Sequence, residues 1–149
     1  MKWLCIVLFT SLLAWAEPLS FEGYVSCEGR GWEILRTQAD YEAFIARVPT
    51  VVLQKKQPAP DSQDPLLKKP AVDFEEMFML AVWSHNVHVD AKVLKVQKVG
   101  SDLEVDLAFG APSDYQAYAA PYGYGQYHLV CVPSFNGELK IRSIQKKAP

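Results

Sequence analysis

From Met77 to Trp83 the chain reads Met-Phe-Met-Leu-Ala-Val-Trp, seven apolar or aromatic side chains in a row without a charge. An extended chain sends successive side chains to opposite faces, so a run of this kind satisfies the hydrophobic effect only where both faces are covered. It predicts a central strand buried on both sides.

The neighbouring segments alternate instead. Leu103, Val105, Leu107 and Phe109 interleave with Asp102, Glu104 and Asp106, the pattern of a strand with one apolar face, and Gly100-Ser101 supplies the turn before it. Val87, Val89, Ala91 and Val93 alternate with other neighbours until the inward set changes phase to Leu94 and Val96, which predicts a β-bulge. Tyr127 to Val132 reads as a further strand. Asn136-Gly137 is a strong two-residue hairpin signal, with Leu139 and Ile141 beginning a return strand. Near the N-terminus, Phe21, Val25 and Cys27 alternate with Glu22, Tyr24, Ser26 and Glu28, until Gly29 and Gly31 break the pattern.

One helix is predicted. Thr37 and Asp40 have the spacing of a capping box, and Tyr41, Phe44, Ile45 and Val48 form an i, i+3, i+4, i+7 stripe that ends at Pro49. Residues 54–71 differ in character, with Pro58, Pro60, Pro65 and Pro70 scattered among lysines, aspartates and glutamines; this predicts an exposed, mobile loop. The expected fold is α+β: one domain, residues 17–149, dominated by an antiparallel sheet with one packed helix.

Residues 1–16 carry a different message. Met1-Lys2, an apolar run from Trp3 to Leu13 and Ala14-Trp15-Ala16 have the layout of a secretory signal peptide cleaved after Ala16. The run is short of the roughly 20 residues of a spanning helix, so no integral membrane span is expected after cleavage. The formal charge of −2 becomes one unit more negative once Lys2 leaves, and no basic stripe is present; nucleic-acid binding has no electrostatic support. Export places Cys27 and Cys131 in an oxidising compartment, where a lone pair of cysteines has one intramolecular connectivity. Such a bridge would constrain the unfolded chain by about 4–5 kcal/mol. The alternative is two separately buried thiols, each acting as a small hydrophobe.

Two stretches carry a family resemblance. Ala71-Val72-Asp73-Phe74-Glu75-Glu76-Met77, running into Phe78-Met79-Leu80-Ala81-Val82, and Ala120-Pro121-Tyr122 followed by His128-Leu129-Val130-Cys131-Val132-Pro133, resemble segments of the PrcB C-terminal-like family. That resemblance implies a small exported bacterial protein, periplasmic or extracellular, acting as an accessory to a protease complex. The chain departs from the family pattern after the first strand: Ser84-His85-Asn86-Val87-His88-Val89-Asp90 stands where a Gly-rich turn is usual.

Three constellations bear on chemistry. His85, His88 and Asp90, with His128 as a further donor, have side chains suited to zinc, although an extended strand places His85 on the face opposite His88 and Asp90. No serine lies in a nucleophile elbow, and Glu75, Glu76, Asp102 and Asp106 fall where solvated faces are expected. The segment from Tyr115 to Tyr127 holds Tyr115, Tyr118, Tyr122, Tyr124 and Tyr127 among alanines and glycines, a composition suited to protein recognition. The sequence is thus read as a non-catalytic interaction module with a protein partner and no cofactor. A metal-dependent hydrolase or metal carrier and a protease inhibitor are the competing readings.

Overall fold

The apolar run does become the central strand. In the computed structural model, which describes residues 19–85, 91–109 and 123–145, it forms β3 (Met77–Ser84), with Phe78 to Val82 no more than 2% exposed. The other strands are β1 (Ser20–Ser26), β2 (Arg30–Leu35), β4 (Ala91–Val99), β5 (Asp102–Phe109), β6 (Tyr124–Pro133) and β7 (Leu139–Gln145). Helix α1 spans Gln38–Ile45, and Pro65–Lys68 makes a short 3-10 turn. The predicted signal segment, residues 1–16, lies outside the described residues. Among the described residues no helix is long and apolar enough to cross a membrane.

The strands form two sheets rather than the one expected: a four-stranded sheet in the order β1-β6-β3-β2 and a three-stranded sheet in the order β4-β5-β7. Each face of β3 meets its own core. Met79 and Ala81 join Phe21, Val25, Leu129, Tyr127 and the helix residues Tyr41, Phe44 and Ile45 on one side. On the other side Phe78, Leu80 and Val82 join Val130, Val132, Leu103, Val105 and Leu107 between the sheets. Burying each large apolar side chain contributes about 1.5–3 kcal/mol, so the continuous apolar run holds the three layers together.

Several local signals match the structure. Thr37 and Asp40 form a complete capping box. Gly100 turns the chain with φ +64°, and Leu103, Val105, Leu107 and Phe109 all face the core. The β4–β5 register shifts between Val93 and Lys95, where the phase change predicted a bulge; Leu94, however, is 47% exposed rather than inward.

The hairpin expectation fails. β7 does not return along β6 but pairs with β5 in parallel. Both sides of β6 are occupied, by β1 and β3, so no ladder is open to it. Gly137 is required for another reason: a Cβ there would collide with the Ser101 carbonyl, in the turn where Asp102 Oδ1 accepts the Glu138 N–H at 2.9 Å. Gly31 likewise lies within β2 instead of ending a strand; its missing side chain makes room for the Trp83 indole, 2.9 Å from where a Cβ would stand.

Residues 54–71 are not loop throughout. Leu66 is fully buried against α1's core, Asp64 caps the 3-10 turn through Oδ1 to the Leu66 N–H at 2.9 Å, and Tyr41 donates its hydroxyl to the Pro70 carbonyl at 3.0 Å.

The Cys27–Cys131 bridge is overturned. Both are free, buried thiols. The β1–β6 ladder places Cys131 opposite Leu19, whose carbonyl accepts its N–H at 2.8 Å, and Cys27 opposite Gly123, at 2.9 Å. The two cysteines sit at opposite ends of one strand pair, about 26 Å apart along an extended chain. A disulfide requires Cα atoms within roughly 7 Å.

Candidate functional site

The second sheet covers β6 and β3 but not β1. Ser20, Glu22, Tyr24 and Ser26, the β1 residues on the side away from α1, are all exposed. Alternate side chains of β1 continue onto β6, so Tyr24 stands opposite Gln126 and Tyr124 opposite Ser26. Tyr24 and Tyr124 are therefore diagonal neighbours on one face, open among the described residues, a spacing of about 7–8 Å that aromatic side chains reach across. Tyr24 is 42% exposed and Tyr124 half-buried.

This face forms the floor of a groove whose wall is β4. Beside Tyr24 lies a hollow of about 270 Å³ bounded by Glu22, Tyr24, Lys92 and Gln126. Beyond it an open cleft of about 500 Å³ is lined by Val93, Leu94, Val96, Val130 and Val132. On the lining of the hollow, Lys92 Nζ bonds Glu22 Oε1 at 3.2 Å.

His128 lines the cleft, 9% exposed. Its Nδ1 accepts the Val93 backbone N–H at 2.9 Å, which fixes the tautomer: Nδ1 is unprotonated and Nε2 carries the hydrogen. Nε2 faces Glu22 Oε1 at 3.9 Å, beyond hydrogen-bond reach. Burial lowers the pKa of His128; Glu22 opposes that shift and Lys92 adds to it. With its one lone pair already engaged, the ring offers neither a base nor a metal ligand in this arrangement. Ser20, the hydroxyl on the cleft, lies opposite Val130 and diagonal to His128, whose Nδ1 lone pair is taken by the Val93 N–H.

The remaining sequence candidates separate. His85 lies just past β3, where Nδ1 faces the Cys27 carbonyl at 3.2 Å; a carbonyl only accepts, so Nδ1 donates. The His85 N–H also bonds the Gly29 carbonyl at 2.6 Å. His85 thus secures the three-residue crossing from β1 to β2. His128 pairs with Val82, three positions before His85, about 10 Å along the strand, so the two rings do not converge. His88 and Asp90 lie outside the described residues, as do Tyr115, Tyr118 and Tyr122. Among the described residues no group of three or more His, Cys, Asp or Glu could hold a metal ion.

Tyr127 leaves the proposed recognition set. It is 2% exposed, stacks edge-on against Phe44 at 5.4 Å, and donates its hydroxyl to Asp64 at 2.9 Å. Burial and the adjacent carboxylate push its pKa strongly upward. Of the acids, Glu75 and Glu76 are exposed, whereas Asp102 and Asp106 are partly covered: Asp102 pairs with Lys140 at 2.8 Å, and Asp106 takes a two-pronged contact from Arg142 at 2.8 and 2.9 Å. Those bonds hold both carboxyls below their ordinary pKa, which opposes any role as a proton donor.

Tyr24 was not singled out from sequence, although the signal was there: an aromatic on the outward side of an alternating strand.

No protein-family model matches the chain, and neither a curated protein nor a solved structure matches it.

Proposed function

We propose that the chain is an exported, non-catalytic interaction module that contacts a protein partner through the tyrosine-bearing face of β1 and β6. The accessory role to a protease or envelope complex is the one implied by its resemblance to the PrcB C-terminal-like family. The observation that carries this reading is the diagonal placement of Tyr24 and Tyr124 on a face the second sheet leaves open; Tyr115, Tyr118 and Tyr122 precede Tyr124 in the sequence. Tyrosine gives large contact area with a polar tip and little rotamer entropy to lose, the properties of a recognition surface. The reading also draws support from His128 and His85, each of which has its Nδ1 engaged with a backbone group of another segment.

The test is site-specific photo-crosslinking in envelope extract, with the probe at position 124 and a control probe at Gln97, which lies on the outer side of the second sheet. A discrete adduct from position 124 that weakens on Tyr24→Ser is expected. Equal adducts from both positions would remove the surface. Purified protein is then added to an extracellular protease preparation: an accessory leaves activity unchanged or raised, whereas lowered activity would make the protein an inhibitor. Stoichiometric zinc in purified protein, lost on His88→Ala, would replace the reading with a metal-dependent one.

A further inference from the structure

The exposed sheet edges are not alike. β4 carries Lys92, Lys95 and Lys98, is bulged between Val93 and Lys95, and has its Val93 N–H taken by His128. Lysines, bulges and capped backbone groups are how edge strands resist pairing with another chain. On β1, the Asp64 carboxylate sits against Gly23, leaving no room for even a Cβ there. On β7, Lys140 and Arg142 are tied to acids of β5.

Among the described residues β2 has one tied charge, Glu33 on Arg47 at 2.8 Å, but neither a bulge nor a backbone amide taken by a side chain. Its sequence, Arg-Gly-Trp-Glu-Ile-Leu, contains no lysine or proline, and its ladder with β3 runs without a register shift. Among the described residues, the backbone of Arg30–Leu35 is hydrogen-bonded to β3 alone. Three side chains of the same strand phase mark its length: Arg30, Trp32 and, just past its end, Arg36. Arg30 lies over the Phe109 ring at 5.3 Å and Arg36 over Phe78 at 5.5 Å, both rings of the core between the sheets. Trp32, between them, is 45% exposed.

The two guanidinium groups differ from the others in the fold. Arg47 has Glu33 at 2.8 Å and Arg142 has Asp106 at 2.8 Å, whereas among the described residues neither Arg30 nor Arg36 pairs with a carboxylate. Stacking on a phenyl ring steadies a guanidinium plane while leaving its N–H edge for an anion. An open strand edge, an exposed indole and two steadied, unneutralised cations therefore coincide on a chain whose overall charge is negative.

We infer that the β2 edge docks an extended acidic segment of a partner protein by strand addition. The segment's backbone continues the four-stranded sheet, two of its carboxylates, about 20 Å apart, meet Arg30 and Arg36, and an apolar residue between them lies on Trp32. A second copy of this chain fits less well. Antiparallel β2–β2 pairing centred on Glu33 sets Arg30 of each copy opposite Arg36 of the other, and like charges directly opposed destabilise a ladder. This edge lies across the sheet from Tyr24, so the inference extends beyond the tyrosine face and is tested separately from it.

The experiment measures fluorescence anisotropy of labelled twelve-residue peptides with the full mature chain. The probe peptide carries glutamates six residues apart flanking a leucine in a valine–threonine background; its counterparts replace glutamate with lysine, or N-methylate one or the other alternate set of amides. Saturable binding of the acidic peptide is expected, weakened by roughly tenfold or more in the combined Arg30→Glu, Arg36→Glu variant and by added salt. One N-methylated set should lose binding and the other keep it, because only alternate amides face the sheet. Trp32→Ser should also weaken binding, and Tyr24→Ser should leave it unchanged. Equal binding by the lysine peptide, equal binding by both N-methylated peptides, or no saturable binding up to millimolar protein would overturn the inference. So would a concentration-dependent dimer in sedimentation that Trp32→Ser dissolves, which would assign the edge to a second copy. Thermal unfolding of each variant separates lost binding from lost fold.

Discussion

His128 Nδ1 takes the backbone N–H of Val93 at 2.9 Å, and that single bond ties a strand of the four-stranded sheet to the edge strand of the other. It explains why a histidine with the look of a metal ligand in sequence does something else in the fold. The bond occupies the ring's lone pair, closes an edge amide of β4, and sets the floor and wall of the groove at a fixed separation.

A pH dependence follows from it. Burial holds the folded-state pKa of His128 below its ordinary value, with Glu22 opposing and Lys92 reinforcing the shift. The unfolded chain keeps the proton up to about pH 6.5. Between the folded and unfolded values the unfolded state binds more protons, so this contribution to stability is complete above about pH 6.5 and is lost as pH falls through the folded value. Urea unfolding should show a level midpoint above pH 7 and a decline below about 6.5. His128→Asn keeps an acceptor near Val93 and should flatten that decline. His128→Leu leaves the N–H unpartnered, at a cost of about 1–3 kcal/mol at neutral pH. An unchanged decline in the asparagine variant would show that another group titrates there.

How much of this was legible in the sequence depends on the range of the interaction. The capping box at Thr37 and Asp40, the bulge at Val93/Lys95 and the inward face of β5 are local, and their residues announce them. Strand pairing is not local. Asn136-Gly137 has hairpin chemistry, but β6 already had two neighbours, and nothing within a few residues of the turn records that. The cysteines failed in the same way: each alternates correctly onto the helix-side core, while the distance between them is set by a register that the alternation does not encode. Of the candidate site, Tyr124 was foreseen and Tyr24 was not, because the two become diagonal neighbours only through strand pairing between segments about a hundred residues apart.

The thiol state gives a second prediction. Burial raises the pKa of both Cys27 and Cys131; Arg47 offsets this in part at Cys27, and the Val132 amide does so at Cys131. Thiols that are buried and protonated react slowly with alkylating reagents. Mass measurement on the chain from Glu17 onward should find no adduct after brief iodoacetamide treatment at neutral pH, and two once urea unfolds the protein. Reductant should leave electrophoretic mobility unchanged. A mass two hydrogens lower than that of the reduced chain, without dimer, would mean that the β1–β6 register is wrong.

The proline-rich segment separates into two parts with opposite sensitivity. Leu66 is fully buried beneath α1, and truncating a core leucine costs about 2–5 kcal/mol, so Leu66→Ala should lower the unfolding midpoint sharply. Lys55 is exposed in the first part of the segment, and Lys55→Ala should change stability by no more than about 0.5 kcal/mol. Calorimetry on both variants decides it; a Leu66→Ala protein as stable as the parent would return the whole segment to the surface.

Gly23, Asp64 and Tyr127 form one coupled unit, and coupling makes a prediction that single variants cannot. The Asp64 carboxylate accepts the Tyr127 hydroxyl at 2.9 and 3.1 Å, caps the Leu66 N–H at 2.9 Å, and occupies the space above Gly23 where a side chain would stand. Tyr127→Phe removes a hydrogen bond to a charged acceptor, about 1.5–3 kcal/mol. Gly23→Ala pushes the carboxylate aside and should break the same bond together with the cap, giving a loss of similar or larger size. If both act through the position of Asp64, the double variant loses less than the two single losses combined, with a coupling of about 0.5–3 kcal/mol. Simple additivity in urea unfolding would mean that the alanine is accommodated by strand movement, with the tyrosine–aspartate bond intact.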